Sequence, residues 1–434
     1  MPMAPNYPPL ITLEPAAGPV DAEVTLPGSK SYTNRVLVLA ALADGTSTLR
    51  AALFSEDTAV MAESLRRLGI PVLEDPVEMT FTVEGKGGII PADRAELFVG
   101  NSGTTVRFLT ALLALGHGEY LLDGVPRMRQ RPIQPLLDAL RQLGVDAASV
   151  TGSGCPPVRV RASGLAGGKV RLPGHLSSQY LSALLMVGPC TRLGLEIEIE
   201  GELVSKPYVD LTVQAMHAFG AAVHCEGYRR FVVPGGQRYR ARDYTIEPDA
   251  SAASYFFALA AVTGGRVRVH NLGVRSAQGD VRFVDILERM GCQVLREDDS
   301  ITVQGPPSLR GVEVDMNAIS DTVQTLAAIA PLASGPVVIR NVAHIRHKET
   351  DRIHALATEL RRLGVVVDEF PDGLAIYPSP VRPGTVQTYD DHRMAMSFAV
   401  LGCRVPGITI ENPGCVAKTF PDFFQRLAAA LGRA

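Results

Sequence analysis

Several common features are scarce or missing in this chain of 434 residues. Tryptophan is absent, and 42 lysines and arginines nearly balance 45 aspartates and glutamates, which leaves a formal net charge of −3. This balance excludes a globally basic nucleic-acid-binding protein, although it leaves room for a local basic site. Apolar stretches such as AASYFFALAAV, which starts at Ala252, are shorter than the roughly 18 residues that span a membrane. We therefore expect neither a nucleic acid nor a membrane as a partner.

Cysteine is also scarce, and no two cysteines form a CxxC pair. Widely separated cysteines are typical of reduced thiols, so we expect a cytoplasmic protein. The N-terminal segment MPMAPNYPPL has neither the basic flank nor the hydrophobic core of a signal peptide, so we expect no export. The six cysteines are Cys155, Cys190, Cys225, Cys292, Cys403 and Cys415.

The familiar cofactor motifs are missing as well. Only Ser29 separates Gly28 from Lys30, whereas a Walker A loop needs GxxxxGK[ST]. No GxGxxG fingerprint follows a strand, and no HExxH motif or cysteine–histidine cluster is present. His344 and His347 are three residues apart, so a metal site there is an alternative, but one such pair is a weak signal. The sequence thus contains none of these cofactor motifs and only this weak signal for a metal.

One pattern recurs six times along the chain: an amphipathic segment that ends in an apolar residue and glycine, usually followed by a short apolar run. Examples are SLRRLGIPV and ELRRLGVVV. Successive glycines are separated by 75, 76, 71, 73 and 68 residues. This period is too long for a solenoid repeat, so each repeat is predicted to be a small α/β subdomain. The glycines are Gly69, Gly144, Gly220, Gly291, Gly364 and Gly432.

Each repeat also contains a helical segment that is apolar on nearly all sides, such as NRVLVLAALADG, DTVQTLAAIAPLASG or HRMAMSFAVLG. A helix of this kind must be buried, whereas the amphipathic helix exposes one face. The sequence therefore predicts an α/β fold of two inside-out domains, each with three repeats, buried helices and outer sheets. Counting repeats assigns residues 28–246 to one domain. Residues 1–27 and 247–434 form the other, which includes an N-terminal strand near Leu10–Leu13.

The starts of the buried helices carry the residues best suited to binding. Each start offers serine, asparagine or aspartate beside N-terminal backbone N–H groups, which attract anions. Cations at or near these starts oppose the helix dipole, so they indicate ligands with several negative charges. These cations include Lys30, Arg35, Arg107, Arg393 and Lys418.

Three carboxylates, those of Asp321, Glu349 and Asp391, lie among such cations in the sequence. One interpretation is that they form structural ion pairs. The other is that the neighbouring charges tune them as general acids or bases.

Nine segments, in order from about Leu26 to Phe424, resemble the 5-enolpyruvylshikimate-3-phosphate synthase family, also called 3-phosphoshikimate 1-carboxyvinyltransferases. They are LPGSKSYTNR, GNSGTTVRF, PRMRQRPI, SSQYLSALLM, SKPYVDLT, DASAASYF, RHKETDRI, DDHRMAM and AKTFPDFF. The resemblance implies a monomer with two inside-out α/β domains and an active site in the cleft between them. It also implies a shikimate-pathway transferase, without a cofactor, in aromatic amino-acid biosynthesis. Such an enzyme moves the enolpyruvyl group of phosphoenolpyruvate to the 5-hydroxyl of shikimate 3-phosphate and releases phosphate.

The same resemblance implies roles for individual residues. Asp321 is the candidate base for the hydroxyl, Glu349 the candidate proton donor to the methylene carbon, and Lys30 a stabiliser of the leaving phosphate. The division of roles among these three stays open. For shikimate 3-phosphate the implied contacts are Lys30, Ser31, Arg35, Ser177, Ser178, Gln179, Ser205, Tyr208, Asp321, His344 and Lys348. For phosphoenolpyruvate they are Lys30, Asn101, Gly103, Arg131, Gln179, Arg352, Arg393 and Lys418.

Some residues depart from the family pattern. His344 stands where many members have asparagine, and its charge would vary with pH. Phe108 replaces a common proline, and Gln130 a common glutamate. Glyphosate occupies the phosphoenolpyruvate site in this family and is the longer molecule. We expect sensitivity because Gly103 leaves room for it beside the backbone, whereas a Cβ there would exclude it.

Two other readings compete with this one. UDP-N-acetylglucosamine 1-carboxyvinyltransferases share the fold and the donor, but they usually have a cysteine in the loop before the position of Arg131. A non-catalytic anion-binding protein is the second, and it is disfavoured because every expected charged group is present.

Overall fold

The structure of the chain, a computed structural model, describes residues 5–433. Ala434 and the first four residues of the segment expected to lack an export signal lie outside these described residues. The chain divides into two compact units. Unit 1 contains the described residues through Pro27 and those from Glu247 onward, and unit 2 contains Gly28–Ile246. No helix within residues 5–433 is both long enough and apolar enough to cross a membrane.

Twelve α-helices of two alternating kinds lie along the described residues. The odd-numbered helices are apolar on all sides and almost wholly buried, whereas the even-numbered helices expose a polar face. This alternation confirms the six buried and six amphipathic helices predicted from the sequence. The helices are α1 (Lys30–Leu42), α2 (Glu56–Arg67), α3 (Gly103–Leu113), α4 (Gln134–Gln142), α5 (Ser178–Val187), α6 (Lys206–Ala218), α7 (Ala250–Thr263), α8 (Phe283–Arg289), α9 (Val323–Ile329), α10 (Arg352–Arg362), α11 (His392–Gly402) and α12 (Phe423–Ala430).

Six small sheets accompany these helices, and the strands of unit 2 form three of them. Each has four strands, in the orders β14-β3-β5-β4, β6-β7-β9-β8 and β10-β11-β13-β12. The strands of unit 2 are β3 (Asp44–Arg50), β4 (Val72–Asp75), β5 (Thr80–Lys86), β6 (Arg94–Phe98), β7 (His117–Asp123), β8 (Asp146–Ser149), β9 (Val158–Ser163), β10 (Gly168–Pro173), β11 (Leu195–Glu200), β12 (His224–Glu226), β13 (Arg230–Val233) and β14 (Asp243–Thr245).

Unit 1 has the other three sheets, in the orders β16-β17-β15-β2, β18-β19-β21-β20 and β1-β23-β22. The predicted N-terminal strand is β1, which pairs with β23 in antiparallel fashion. The strands are β1 (Leu10–Thr12), β2 (Asp21–Val24), β15 (Arg266–His270), β16 (Gln293–Arg296), β17 (Ser300–Gln304), β18 (Val312–Asp315), β19 (Val337–Arg340), β20 (Val367–Phe370), β21 (Gly373–Ile376), β22 (Gly384–Val386) and β23 (Ile408–Glu411).

Every four-stranded sheet repeats one pairing scheme. An outer strand runs parallel to its neighbour, and the other two pairs are antiparallel. The alternation in β11 shows why these strands cover the helices: Leu195 and Ile197 are buried in the core, Glu196 is half-buried and Glu198 is exposed. Buried apolar residues form one continuous core in each unit.

The helix expected over DTVQTLAAIAPLASG is shorter than the apolar pattern suggests. Only Val323–Ile329 is α-helical, with 3₁₀ turns at Asn317–Thr322 and Ala330–Leu332. Pro331 lacks an N–H group and so cannot extend the α-helix, and Ile319 has a non-helical backbone. This break leaves Asp321 in a tight turn immediately before α9.

Candidate active site

Unit 2 presents its first candidate residues at the start of α1. Ser29 caps this helix, because its hydroxyl accepts a hydrogen bond from a backbone N–H three residues later. A Cβ on Gly28 would collide with the carbonyl oxygen of Ala51, so the chain passes here only with glycine. Lys30 is buried, and its ammonium group lies 3.7 Å from the carboxylate of Asp57. A buried lysine beside a helix N-terminus is well suited to hold a phosphate group.

Arg35 lies further along α1 and is almost fully buried. Its guanidinium donates to the hydroxyl of Thr212 (2.7 Å) and to the carbonyl oxygens of Ser31 (2.9 Å) and Tyr208 (3.1 Å). All three acceptors are neutral, and burial lowers the pKa of Arg35 to about 10. The ring of Phe108 packs 5.2 Å from the guanidinium carbon. A buried cation with neutral acceptors is stabilised further when an anion binds beside it.

Two arginines approach Gly103, the first residue of α3. Arg131 donates to the backbone oxygen of Asn101 (2.8 Å) and to its side-chain oxygen (3.1 Å). A Cβ built on Gly103 would lie 2.5 Å from Nη2 of Arg131 and 3.1 Å from Nη1 of Arg107. Gly103 therefore allows two guanidinium groups to approach the helix backbone closely. Two such groups at a helix N-terminus favour a carboxylate or phosphate ligand.

The start of α5 is tied to the same arginine pair. Arg107 donates to the side-chain oxygen of Gln179 at 2.5 Å, and its guanidinium carbon lies 5.2 Å from the ring centre of Tyr180. Ser177 caps α5 by accepting a hydrogen bond from the backbone N–H of Gln179. Ser178 is the first residue of the helix and is buried. Arg107 thus positions Gln179, a role that the sequence analysis did not assign to it.

The last predicted residues of unit 2 lie at the start of α6. Ser205 has a left-handed backbone (φ 54°) at the position before the helix. Tyr208 accepts the hydrogen bond from Arg35 through its carbonyl oxygen. A hydrogen bond from Arg35 to Tyr208 therefore joins α1 to the start of α6. A second, from Arg107 to Gln179, joins α3 to the start of α5.

In unit 1, three cationic side chains converge on Asp321. Its carboxylate accepts from Lys348 (2.6 Å), Arg352 (3.1 Å) and Arg393 (2.8 Å). Burial lowers the pKa of Lys348, and the charge of Asp321 opposes this shift. Such a set of cations is also of the kind that binds anionic ligands.

Arg352 connects this cluster to two further carboxylates. Its guanidinium donates to Glu349 at 2.8 Å and to Asp391 at 2.8 and 3.3 Å. Burial opposes its charge, but these carboxylates outweigh that effect and raise the pKa of Arg352. Asp391 also caps α11 by accepting from the backbone N–H of Arg393. The geometry favours the ion-pair interpretation for Asp391.

His344 and Lys418 are the remaining predicted residues of unit 1, and both are buried. Burial, with the charge of Lys348 as a smaller cause, lowers the pKa of His344 to about 3. The imidazole is therefore neutral between pH 5 and 8, so the expectation that its charge varies with pH was wrong in that range. Lys418 ends a 3₁₀ turn that begins at Pro413.

Within residues 5–433, no three histidine, cysteine, aspartate or glutamate side chains are grouped as a metal ion would require.

Comparison with known proteins decides the family. The family model for EPSP synthase (3-phosphoshikimate 1-carboxyvinyltransferase) matches residues 15–427. The chain belongs to the EPSP synthase family. A 3-phosphoshikimate 1-carboxyvinyltransferase of Trichormus variabilis is 55% identical over 415 residues, covering 96% of this chain and 97% of the relative. A chloroplastic one of Arabidopsis thaliana is 49% identical over 422 residues, covering 93% and 81%.

A solved EPSP synthase from Acinetobacter baumannii is similar to this chain with a TM-score of 0.82 and 27% identity, covering 97% and 98% of the two chains. The predicted family, α/β fold class and enzyme class are therefore confirmed. This EPSP synthase is a transferase of the shikimate pathway.

Sequence reasoning missed Asp57, which contacts Lys30. It identified Arg107 as a cation near a helix start, but not the contact by which Arg107 holds Gln179. In the sequence, Asp57 looks like an ordinary acidic residue in the first turn of a helix.

Proposed function

We propose that the clusters of both units act on the same two substrates, phosphoenolpyruvate and shikimate 3-phosphate. Together the two molecules carry two phosphates and two carboxylates, so their mutual repulsion must be cancelled before they react. The cationic residues at the helix starts supply that compensation. Residues for shikimate 3-phosphate are Lys30, Ser31, Arg35, Ser177, Ser178, Gln179, Ser205, Tyr208, Asp321, His344 and Lys348. Residues for phosphoenolpyruvate are Lys30, Asn101, Gly103, Arg131, Gln179, Arg352, Arg393 and Lys418.

The observation that carries this proposal is the carboxylate of Asp321 held by Lys348, Arg352 and Arg393. Three cations make a carboxylate a weak base. When the carboxylate of phosphoenolpyruvate binds Arg352 and Arg393, these arginines interact less strongly with Asp321. Asp321 then becomes basic enough to accept the proton of the 5-hydroxyl.

The reaction proceeds by addition and elimination. The 5-oxygen forms a bond to C2 of phosphoenolpyruvate as its proton leaves, and the methylene carbon gains a proton. Elimination then removes one methyl proton and breaks the bond to the phosphate oxygen, which restores the double bond. Glu349 donates and later accepts the carbon-bound proton, while Lys30 and Lys418 stabilise the leaving phosphate.

Asp321→Ala separates catalysis from binding. We expect kcat to fall by a factor on the order of a thousand, because the base is lost. Phosphoenolpyruvate should bind at least as tightly, because the competing carboxylate no longer occupies the arginines. Phosphate release measures kcat, and equilibrium binding measures the dissociation constant. A weakened affinity with unchanged kcat would contradict both roles.

The identity of the acceptor is tested with the unmodified enzyme. We expect phosphate release with shikimate 3-phosphate and none with UDP-N-acetylglucosamine, and the reverse result would reassign the substrate.

We also propose that the protein is a monomer in the cytoplasm. The six free cysteines support the cytoplasmic location. The placement of the active site in the cleft between the two domains stays a prediction.

A further inference from the structure

Glu359 is a buried acidic residue in unit 1 that the proposed chemistry does not use. It lies on α10, seven residues after Arg352, and two helical turns place the two side chains on the same face. Its side chain has 0% exposure. A carboxylate is removed from water at a large free-energy cost unless hydrogen bonds satisfy it.

The partners of Glu359 lie mainly on one segment. Its oxygens accept from the backbone N–H of Gln387 (3.0 Å) and from the hydroxyl of Tyr389 (2.7 Å). Arg362, on the same helix, lies 3.2 Å away and is half-exposed. Glu359 therefore clamps residues 387–389 against α10.

The clamped segment has an unfavourable backbone. Tyr389 and Asp390 have φ angles of 54° and 56°, a left-handed conformation that costs free energy for residues with a side chain. Two such residues in succession persist only where their surroundings hold them. Glu359 holds this segment through its hydrogen bonds with Gln387 and Tyr389. The side chain of Asn412 adds a hydrogen bond of 3.2 Å to the carboxylate of Asp390.

The strained segment leads directly to Asp391. Asp391 binds Arg352 and caps the helix that carries Arg393, so its position orients both arginines. We propose that Glu359 is a positioning residue: it holds the segment 387–390 in its strained path and so aligns Arg352 and Arg393 for the carboxylate of phosphoenolpyruvate. This inference rests on the proposed function.

The test compares two substitutions of one residue. Glu359→Ala removes both contacts, and we expect the KM for phosphoenolpyruvate to rise about tenfold, while kcat and the KM for shikimate 3-phosphate change less than about threefold. Glu359→Gln should restore all three values to within about threefold. Its amide oxygen can accept from Gln387, and its amide nitrogen can donate to the hydroxyl oxygen of Tyr389.

Two controls, Arg362→Gln and Tyr377→Phe, and one further test, Tyr389→Phe, accompany these changes. Arg362→Gln removes the ion pair of Glu359 but neither of its hydrogen bonds to Gln387 and Tyr389, so the kinetics should stay unchanged. Tyr389→Phe removes one hydrogen bond to Glu359, and we expect the KM for phosphoenolpyruvate to rise about threefold. Tyr377→Phe removes a similar bond, from a hydroxyl to Asp368 at 2.9 Å, and should have no effect.

Several results would overturn the proposal. These are an unchanged KM for phosphoenolpyruvate in Glu359→Ala, equal rises in both KM values, or no rescue by Glu359→Gln. If Glu359→Ala does not fold, as judged by its melting temperature, Tyr389→Phe decides, and an unchanged KM there rejects the role. Turnover of the unmodified enzyme is measured alongside. Its absence would count against the proposed function, whereas normal turnover with insensitive variants would count against Glu359 alone.

Discussion

Substitution of Gly103 by alanine probes the tightest contact in the unit 2 cluster. The new Cβ would lie 2.5 Å from Nη2 of Arg131, while carbon and nitrogen atoms in favourable contact are roughly 3.5 Å apart. The guanidinium must therefore retreat by about 1 Å. Arg131 is buried, and its hydrogen bonds to Asn101 would stretch as it moves. The methyl group thus acts first on Arg131, whereas the sequence alone suggested that it would act directly on the ligand.

A displacement of about 1 Å at a substrate-binding group costs up to a hundredfold. We expect the KM for phosphoenolpyruvate to rise about tenfold to a hundredfold in Gly103→Ala, equivalent to roughly 1.4–2.7 kcal/mol. The kcat at saturating substrate should change little, because the proposed proton-transfer groups, Asp321 and Glu349, lie in unit 1. Glyphosate is longer than phosphoenolpyruvate, so its inhibition constant should rise by a larger factor than the KM.

A double-mutant cycle tests this mechanism. In an Arg131→Ala background the clashing group is gone, so adding Gly103→Ala should change the KM for phosphoenolpyruvate less than about twofold. If each substitution instead raises the KM for phosphoenolpyruvate by its own factor, and the double variant shows the product of the two factors, the argument from Arg131 is refuted. Gly335→Ala is the control, because a Cβ there meets only backbone atoms of Gly311 at 3.7 Å. Competition kinetics against phosphoenolpyruvate supply the inhibition constant, and an unchanged constant in Gly103→Ala would contradict the steric role.

The remaining predictions concern Lys30 and His344. Lys30→Ala should lower kcat/KM by about a hundredfold or more with little change in melting temperature, and near-normal turnover would remove Lys30 from the site. His344 has a lower pKa in the folded protein than the 6.5 of an ordinary histidine, so as pH falls from 6.5 towards 3 only the unfolded chain gains its proton. The free energy of unfolding therefore falls by about 1.4 kcal/mol for each unit by which the pH is lowered in that range. Between pH 7 and pH 5, the free energy of unfolding of His344→Asn, measured with denaturant, should fall by about 2 kcal/mol less than that of the unmodified protein. Equal decreases in the two proteins would reject the buried neutral state of His344.

Periodicity was sufficient to predict most of the fold. A segment such as NRVLVLAALADG has no polar face to expose, and Gly69 supplies a left-handed residue (φ 81°) where the amphipathic helix ends. Short-range geometry was less predictable. The pattern around Leu326 suggested one long helix, but Pro331 and the 3₁₀ turns divide it.

The candidate site shows the same division between what patterns predict and what they do not. Helix starts with adjacent cations marked Lys30, Arg35 and Arg393, because a cation in that place serves its own helix poorly. Glu359 gave no such signal. In TELRRLG it resembles a solvated residue beside two arginines, and only the packing of residues 387–389 onto α10 reveals that it is buried.

The pairing of β14 with β3 has a consequence for synthesis of the chain. β3 ends at Arg50, but its parallel partner begins at Asp243, so at 5–20 residues per second the ribosome takes roughly 10–40 s to deliver it. Until then one edge of β3 stays open, and an open edge invites pairing with other chains. In unit 1, β2 waits even longer for β15, and β1 waits for β23. These waiting strands are only three and four residues long, and Asp21 and Glu23 place charges on β2. Short, charged edges of this kind resist aggregation while the nascent chain is incomplete.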